Sequence, residues 1–171
     1  MKLDEQLAAQ ARHVRGIVFD VDGVLTDGRI IYSDDGHELK QFNVQDGASL
    51  KLLAANDIAI AIITGRRSPT VARRARELGI TYLRQGAESK SAALDDLVSE
   101  GFPANDNAAV GDDLQDIAMF DHASVGFSIT VPNAHPAALQ RADYTTRRRG
   151  GDGVAVEVAE LILTAQGKWV F

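Results

Sequence analysis

Short apolar runs alternate along this chain with longer stretches whose apolar residues recur at three- and four-residue spacing. Gly16 to Asp20, Ile58 to Ile63, Thr81 to Leu83 and Ala108 to Gly111 are the runs. Each passes abruptly into glycine or polar residues, as a strand buried on both faces does where it enters a loop. Between and after them, helical spacing covers Asp46 to Asn56, Pro69 to Leu78, Glu88 to Glu100, Leu114 to Phe120, Ala134 to Arg141 and Val154 to Gln166. Asp46 suits the N-cap of the first of these, Pro69 a first helical turn, and Gly79 and Gly101 the stops. Ser124 to Ile129 is a further short apolar stretch, and Met1 to Arg15 reads as a short helix or arm. Two alternating segments, Arg29 to Ser33 and Glu38 to Val44, flank Asp34-Asp35-Gly36 and predict a β-hairpin.

Strands alternating with helices of this length imply an α/β fold: a doubly wound parallel sheet covered on both faces. In such sheets chemistry gathers beyond the carboxyl ends of the strands. A length of 171 residues fits one domain spanning 1–171, and 45% hydrophobic residues are enough to bury its core. The net charge of -6 argues against a nucleic-acid partner but not against a small phosphorylated molecule, because a bound cation reverses the local field. With no cysteine, disulfides and thiolate metal sites are excluded, which suits a reducing cytoplasm. No apolar run reads as a signal peptide or a bilayer span, so no membrane partner is expected. The basic run Arg147-Arg148-Arg149 reads as a solvated loop.

Four polar segments fall at the predicted strand ends. Asp20-Val21-Asp22-Gly23 sets two carboxylates two residues apart, where they repel unless a cation lies between them. A hard cation with oxygen ligands, magnesium above all, answers that need. Aspartate also serves as a nucleophile that splits one displacement into two, and a neighbouring carboxyl as general acid and base. Thr64-Gly65-Arg66 offers a hydroxyl and free amides to phosphate oxygens, and Lys90 a cation to a transferring phosphoryl group. Asp112-Asp113-Leu114-Gln115-Asp116 completes an acidic set. Taken singly, Asx turns explain the first segment as well as chemistry does, a Thr-Gly turn and a solvated surface lysine explain the next two better, and a helix end accommodates the last. Their order along one sheet edge favours the chemical reading.

These segments match in order the four signature motifs of the haloacid dehalogenase superfamily, which the sequence therefore resembles from about Gly16 to Asp116. The resemblance implies that Asp20 is the nucleophile, Asp22 the general acid and base, and that Thr64, Gly65, Arg66 and Lys90 bind phosphate and substrate. It implies a Mg2+ site made by Asp20, the Asp22 backbone carbonyl and Asp112, with Asp113 and Asp116 supporting the metal or orienting Lys90. Asp20 to Gly28, Phe42 to Gly47, Ala134-His135-Pro136 and Ala165 to Lys168 further resemble the 3-deoxy-D-manno-octulosonate 8-phosphate phosphatases. That likeness implies a capless, Rossmann-like enzyme releasing phosphate from a sugar acid in lipopolysaccharide precursor synthesis. It also implies a homotetramer assembled through the hairpin insert at 28–44. Asp152 and Val156 stand where such enzymes usually carry arginines, so Arg148 or Arg149 substitutes, or the substrate is another nonulosonic acid phosphate or small sugar phosphate. A phospho-accepting receiver domain shares the acidic pair, Thr, Lys and magnesium, but needs an aspartate where Leu83-Arg84-Gln85-Gly86 stands. A catalytically inactive scaffold using the same pocket is the other rival, and the complete set of charged groups argues against it. His135 suits either substrate seating or helix entry. The Trp169-Val170-Phe171 tail is either disordered or docked on a neighbouring subunit, where it could close an active site.

Overall fold

The computed structural model describes residues 4–171; Met1 to Leu3 of the expected N-terminal arm lie outside the described residues. Asp4 caps a first helix, α1 (Glu5–His13), by accepting from the Gln6 amide at 2.9 Å. Six strands then build one parallel sheet: β1 (Gly16–Phe19), β4 (Ala59–Thr64), β5 (Tyr82–Gln85), β6 (Asn107–Gly111), β7 (Val125–Thr130) and β8 (Tyr144–Thr145). Their spatial order is β5-β4-β1-β6-β7-β8, every pair parallel. The hairpin β2 (Ile31–Tyr32) and β3 (Glu38–Leu39) pairs antiparallel as its own small sheet after β1. It is shorter than its alternating pattern suggests, and residues 40–43 run outside any strand into the next helix.

The helices are α2 (Val44–Ala55), α3 (Pro69–Leu78), α4 (Lys90–Ser99), α5 (Leu114–Phe120), α6 (Pro136–Arg141) and α7 (Val154–Ala165). α7 packs against α1 and α2, while α4, α5 and α6 pack in sequence with one another. Right-handed crossovers place these two groups on opposite faces of the sheet. Ile17, Val18, Phe19, Ile63, Val110 and Ile129 form the buried centre between the layers. α7 buries Val154, Ala155, Val158, Ala159, Leu161, Ile162 and Leu163, which explains why its sequence is apolar almost all round. Strand β8 was not foreseen, because two residues that are neither fully apolar nor alternating leave no periodic signal.

The sequence places Asp46 at the N-cap of α2, but Asn43 takes that role, accepting from the Gln45 amide at 2.8 Å. Asp46 sits buried in the first turn of α2 and caps another helix instead. Its Oδ1 accepts from the amides of Ala155 at 2.7 Å and Val156 at 3.3 Å, the second and third residues of α7. Gly153, the residue before α7, has no side chain for the task, so the cap arrives from 109 positions away in the sequence. Burial raises the Asp46 pKa to about 6, against the pull of those two amides.

The sign follows from linkage. Below the unfolded-state value near 4 the carboxyl is neutral in both states; between there and about 6 the folded protein holds the extra proton. Stability from this group is therefore full at low pH and lost as pH rises toward 6. Urea titrations of the wild-type chain and Asp46→Asn from pH 4 to 7.5 should show the variant gaining roughly 2 kcal/mol relative to wild type over that range. Parallel curves would contradict the raised pKa.

Candidate active site

Omitting the hairpin, the strands run in the order 3-2-1-4-5-6, and the direction of winding reverses between β1 and β6. Asp20 follows β1 and Asp112 follows β6, so both stand at that switch point. The Asp20 amide extends the ladder past β1 by donating to the Val110 carbonyl at 2.9 Å. The chain then turns tightly: the Val21 carbonyl accepts from the amides of Leu25 at 2.9 Å and Thr26 at 3.0 Å. Gly23 has a φ of +92° at this turn. A Cβ on Gly23 would overlap the Asp112 carboxylate, so the glycine admits that carboxylate against the backbone of the first motif.

Lys90 opens α4 after the Ser89 cap and reaches back under the sheet edge. Its Nζ lies 3.0 Å from Asp20 Oδ1 and 2.5 Å from Asp116 Oδ1. The other Asp116 oxygen accepts from the amides of Asp112 at 2.9 Å and Asp113 at 3.0 Å. Asp113 caps α5, its Oδ1 accepting from the Leu114 amide at 2.7 Å. Thr64 ends β4, with its hydroxyl 3.4 Å from the Arg66 amide that donates to it.

Charge is unbalanced here. Asp20 and Asp116 are buried, Asp112 is half-buried, and one ammonium lies among them. Burial, then the nearby Asp116, pushes the Asp20 carboxyl up to about 7 despite Lys90. Burial, then Asp116 and Asp113, pushes Asp112 up to about 7 as well. Burial alone would lower the Lys90 pKa; Asp20 and Asp116 outweigh it and leave it raised. Oxygens of Asp20, Asp112 and Asp116 lie within 4.8 Å of one another, a spacing that can hold a metal ion. Both Asp116 oxygens already accept hydrogen bonds, so Asp20 and Asp112 are the carboxylates left to bind a cation directly. Oxygen donors and a surplus of negative charge fit a hard divalent cation.

Asp20, Asp22, Thr64, Gly65, Arg66, Lys90, Asp112 and Asp113, all singled out from the sequence, line one cavity of about 280 Å³ together with Gly28 and Gln115. The Asp22 side chain is not part of the oxygen cluster: it pairs with Lys40, on the stretch that follows β3. Arg66 pairs with Glu38 of β3, its Nε 3.2 Å from Oε2. Lys40, Glu38 and Gln115 were not anticipated. The first two sit in an alternating segment where charge ordinarily marks the solvent face, and the last stands between Leu114 and Asp116 in the first turn of α5 with no spacing of its own to mark it.

Arg148 and Arg149, offered by the sequence as replacement arginines, do not line this cavity. Arg148 is turned into its own loop, with Nη1 donating to the Asp152 carbonyl at 3.1 Å, and Arg149 is exposed. His135 caps α6, its Nδ1 accepting from the Ala137 amide at 3.1 Å, and its amide donates to the Asp112 carbonyl at 2.7 Å. Helix entry is thus its place in the fold. In the tail, Trp169 is partly buried against the core while Val170 and Phe171 are exposed.

Gly23→Ala should displace the Asp112 carboxylate and weaken divalent-cation binding at least about 10-fold, as loss of ligand support does. Calorimetric titration with Mg2+ measures it, with circular dichroism confirming an intact fold; unchanged affinity would mean that Asp112 is no ligand.

Residues 83–158 match the haloacid dehalogenase-like hydrolase family. The chain is 47% identical over 161 residues to the 3-deoxy-D-manno-octulosonate 8-phosphate phosphatase of Escherichia coli K12, covering 94% of this chain and 85% of that protein. The enzyme of that name from Moraxella catarrhalis, solved with a magnesium ion, a phosphate ion and a KDO molecule, superposes with a TM-score of 0.91 at 43% identity. That alignment covers 96% of this chain and 94% of the other. The cobalt-bound deoxy-D-mannose-octulosonate 8-phosphate phosphatase of Haemophilus influenzae gives a TM-score of 0.87 at 37% identity, over 93% and 92% of the two chains. This chain, with its switch-point carboxylates and buried lysine, therefore belongs to the haloacid dehalogenase-like phosphatases of the 3-deoxy-D-manno-octulosonate 8-phosphate phosphatase family.

Proposed function

We propose that the chain hydrolyses 3-deoxy-D-manno-octulosonate 8-phosphate to the free sugar acid and phosphate, through an aspartyl-phosphate on Asp20. The observation that carries this reading is the meeting of Asp20, Lys90 and Asp112 with Thr64 in one cavity at the switch point, in a chain 47% identical to such an enzyme. Asp20, Asp112 and the backbone carbonyl of Asp22 would hold the cation, Mg2+, with Asp113 in support. When bound, it screens the repulsion between the Asp20 carboxylate and the incoming phosphate.

An Asp20 oxygen attacks phosphorus in line as the ester P–O bond breaks, and Asp22 gives its proton to the departing sugar oxygen. Lys90, fixed by Asp116, and Thr64 with the Gly65 amide hold the equatorial oxygens while charge spreads over them. A water then attacks phosphorus, yields its proton to Asp22, and displaces Asp20 as inorganic phosphate forms. Arg66 faces the body of the substrate at the cavity mouth. A second reading, another nonulosonic acid phosphate or small sugar phosphate, draws on Asp152 and Val156: neither can form an arginine fork on a carboxylate.

The reading places the whole chain, 1–171, as one phosphatase domain in the cytoplasm, supplying lipopolysaccharide precursor synthesis. No helix among the described residues is long and apolar enough to cross a membrane. The hairpin insert at 28–44 carries exposed Ile30, Ile31, Tyr32, Leu39 and Val44, apolar area that suits burial against further copies in a homotetramer.

A panel of sugar and sugar-acid phosphates assayed with Mg2+ should show preference for the eight-carbon acid, and similar rates for esters lacking the carboxylate would refute that substrate. Asp20→Asn should lower turnover by at least about 10⁴-fold, since the nucleophile is lost; full turnover would refute the covalent route. Ile31→Asp should shift sedimentation toward smaller species, and an unchanged profile would remove the hairpin from the interface.

A further inference from the structure

We infer that Lys40 positions Asp22, fixing its carboxyl beside the cavity and apart from the oxygens that would hold the cation. This rests on the phosphatase reading and adds a residue that reading does not use. The Lys40 ammonium pairs with Asp22 Oδ1 and lies 3.3 Å from Glu38 Oε1. Its side chain is 3% exposed, unlike the solvated lysine that an alternating segment ordinarily carries. A charge so removed from water depends on its two carboxylate partners, and they on it. Glu38 continues the chain to Arg66, so four alternating charges link the loop after β1, through the hairpin, to the loop after β4.

The direction of the hydrogen bond decides the chemistry. An ammonium has donors and no acceptor, so Asp22 Oδ1 must accept. Any proton that Asp22 carries then sits on Oδ2, which is buried and has no hydrogen-bond partner. Asp22 lines the cavity, yet its oxygens are not among the clustered ligands of Asp20, Asp112 and Asp116. Lys40 thus holds the carboxyl at the cavity lining and apart from the oxygens that would bind the cation. Without Lys40 the side chain can rotate toward the cation, and proton delivery loses its geometry.

A phenolate leaving group needs little protonation, whereas a sugar alkoxide needs it fully; that contrast separates positioning of the acid from general damage. We would compare kcat and KM of the wild-type chain, Lys40→Met and Lys40→Arg on 3-deoxy-D-manno-octulosonate 8-phosphate and on 4-nitrophenyl phosphate, with Mg2+. Lys40→Met should lower kcat/KM for the sugar ester about 10- to 100-fold through kcat, a part of the roughly 10²–10⁴-fold that a general acid contributes, and for the aryl ester less than about 3-fold. Lys40→Arg, which keeps the charge, should recover part of the difference. Equal losses on the two esters, a change confined to KM, or no change would overturn the inference. If Lys40→Met does not fold, Lys40→Arg decides: its ratio between the two esters must shift in the same direction to a smaller extent, and an unshifted ratio overturns the inference. A wild-type chain that cleaves neither ester refutes the phosphatase reading itself, and this inference falls with it.

Discussion

Uncompensated negative charge at the point where the sheet reverses its winding is the constraint from which the rest of this molecule follows. Asp20, Asp112 and Asp116 crowd a space in which Lys90 is the ammonium they share. Carboxylates so placed either hold protons near neutral pH, as the values near 7 for Asp20 and Asp112 express, or await a cation. The fold spends its special backbone positions on keeping them there. Gly23 and Gly111 lack side chains where Asp112 and Asp116 press against the main chain. Asp116 is consumed by hydrogen bonds that shape the turn and aim Lys90. Two of the three carboxylates are left for chemistry.

The same economy recurs away from the centre. Asp46 leaves its own helix end to Asn43 and caps α7. That helix start follows the Gly150–Gly153 loop, whose Gly151 amide donates to the Val24 carbonyl at 3.0 Å. Gly150 donates to Asn133 Oδ1 at 2.8 Å, and Asn133 Nδ2 reaches the Gly23 carbonyl at 3.4 Å. The loop that carries Gly23 is therefore braced from α2 through α7 as well as from β1. Glu157 fastens the other flank: its buried carboxylate accepts from the amides of Arg147 and Arg148 at 3.0 Å each and from the Tyr144 hydroxyl at 2.7 Å. Burial would raise its pKa, but these hydrogen bonds keep it below the usual value. Acidic residues here serve backbone geometry as often as they serve the site.

The hairpin contributes in two ways that its sequence pattern does not separate. Its apolar residues Ile30, Ile31, Tyr32 and Leu39 are exposed, while Glu38 and Lys40 turn inward and tie Arg66 and Asp22 into one charged chain.

From the sequence alone, the period of apolar residues settled the parallel sheet, the helices Pro69–Leu78 and Leu114–Phe120 to the residue, and the strand ends at which the polar motifs stand. Local patterns suffice for these because burial on two faces, a proline start and a glycine stop are written in neighbouring residues. The carboxylates, Thr64 and Lys90 were legible for the same reason: each adjoins an element whose end is visible. What only the tertiary structure decided are pairings between distant segments. These are Asp46 with α7, Lys40 with Asp22 and Glu38 with Arg66. A charged side chain takes whichever partner the packed fold brings within about 3 Å, and one-dimensional spacing carries no record of that distance.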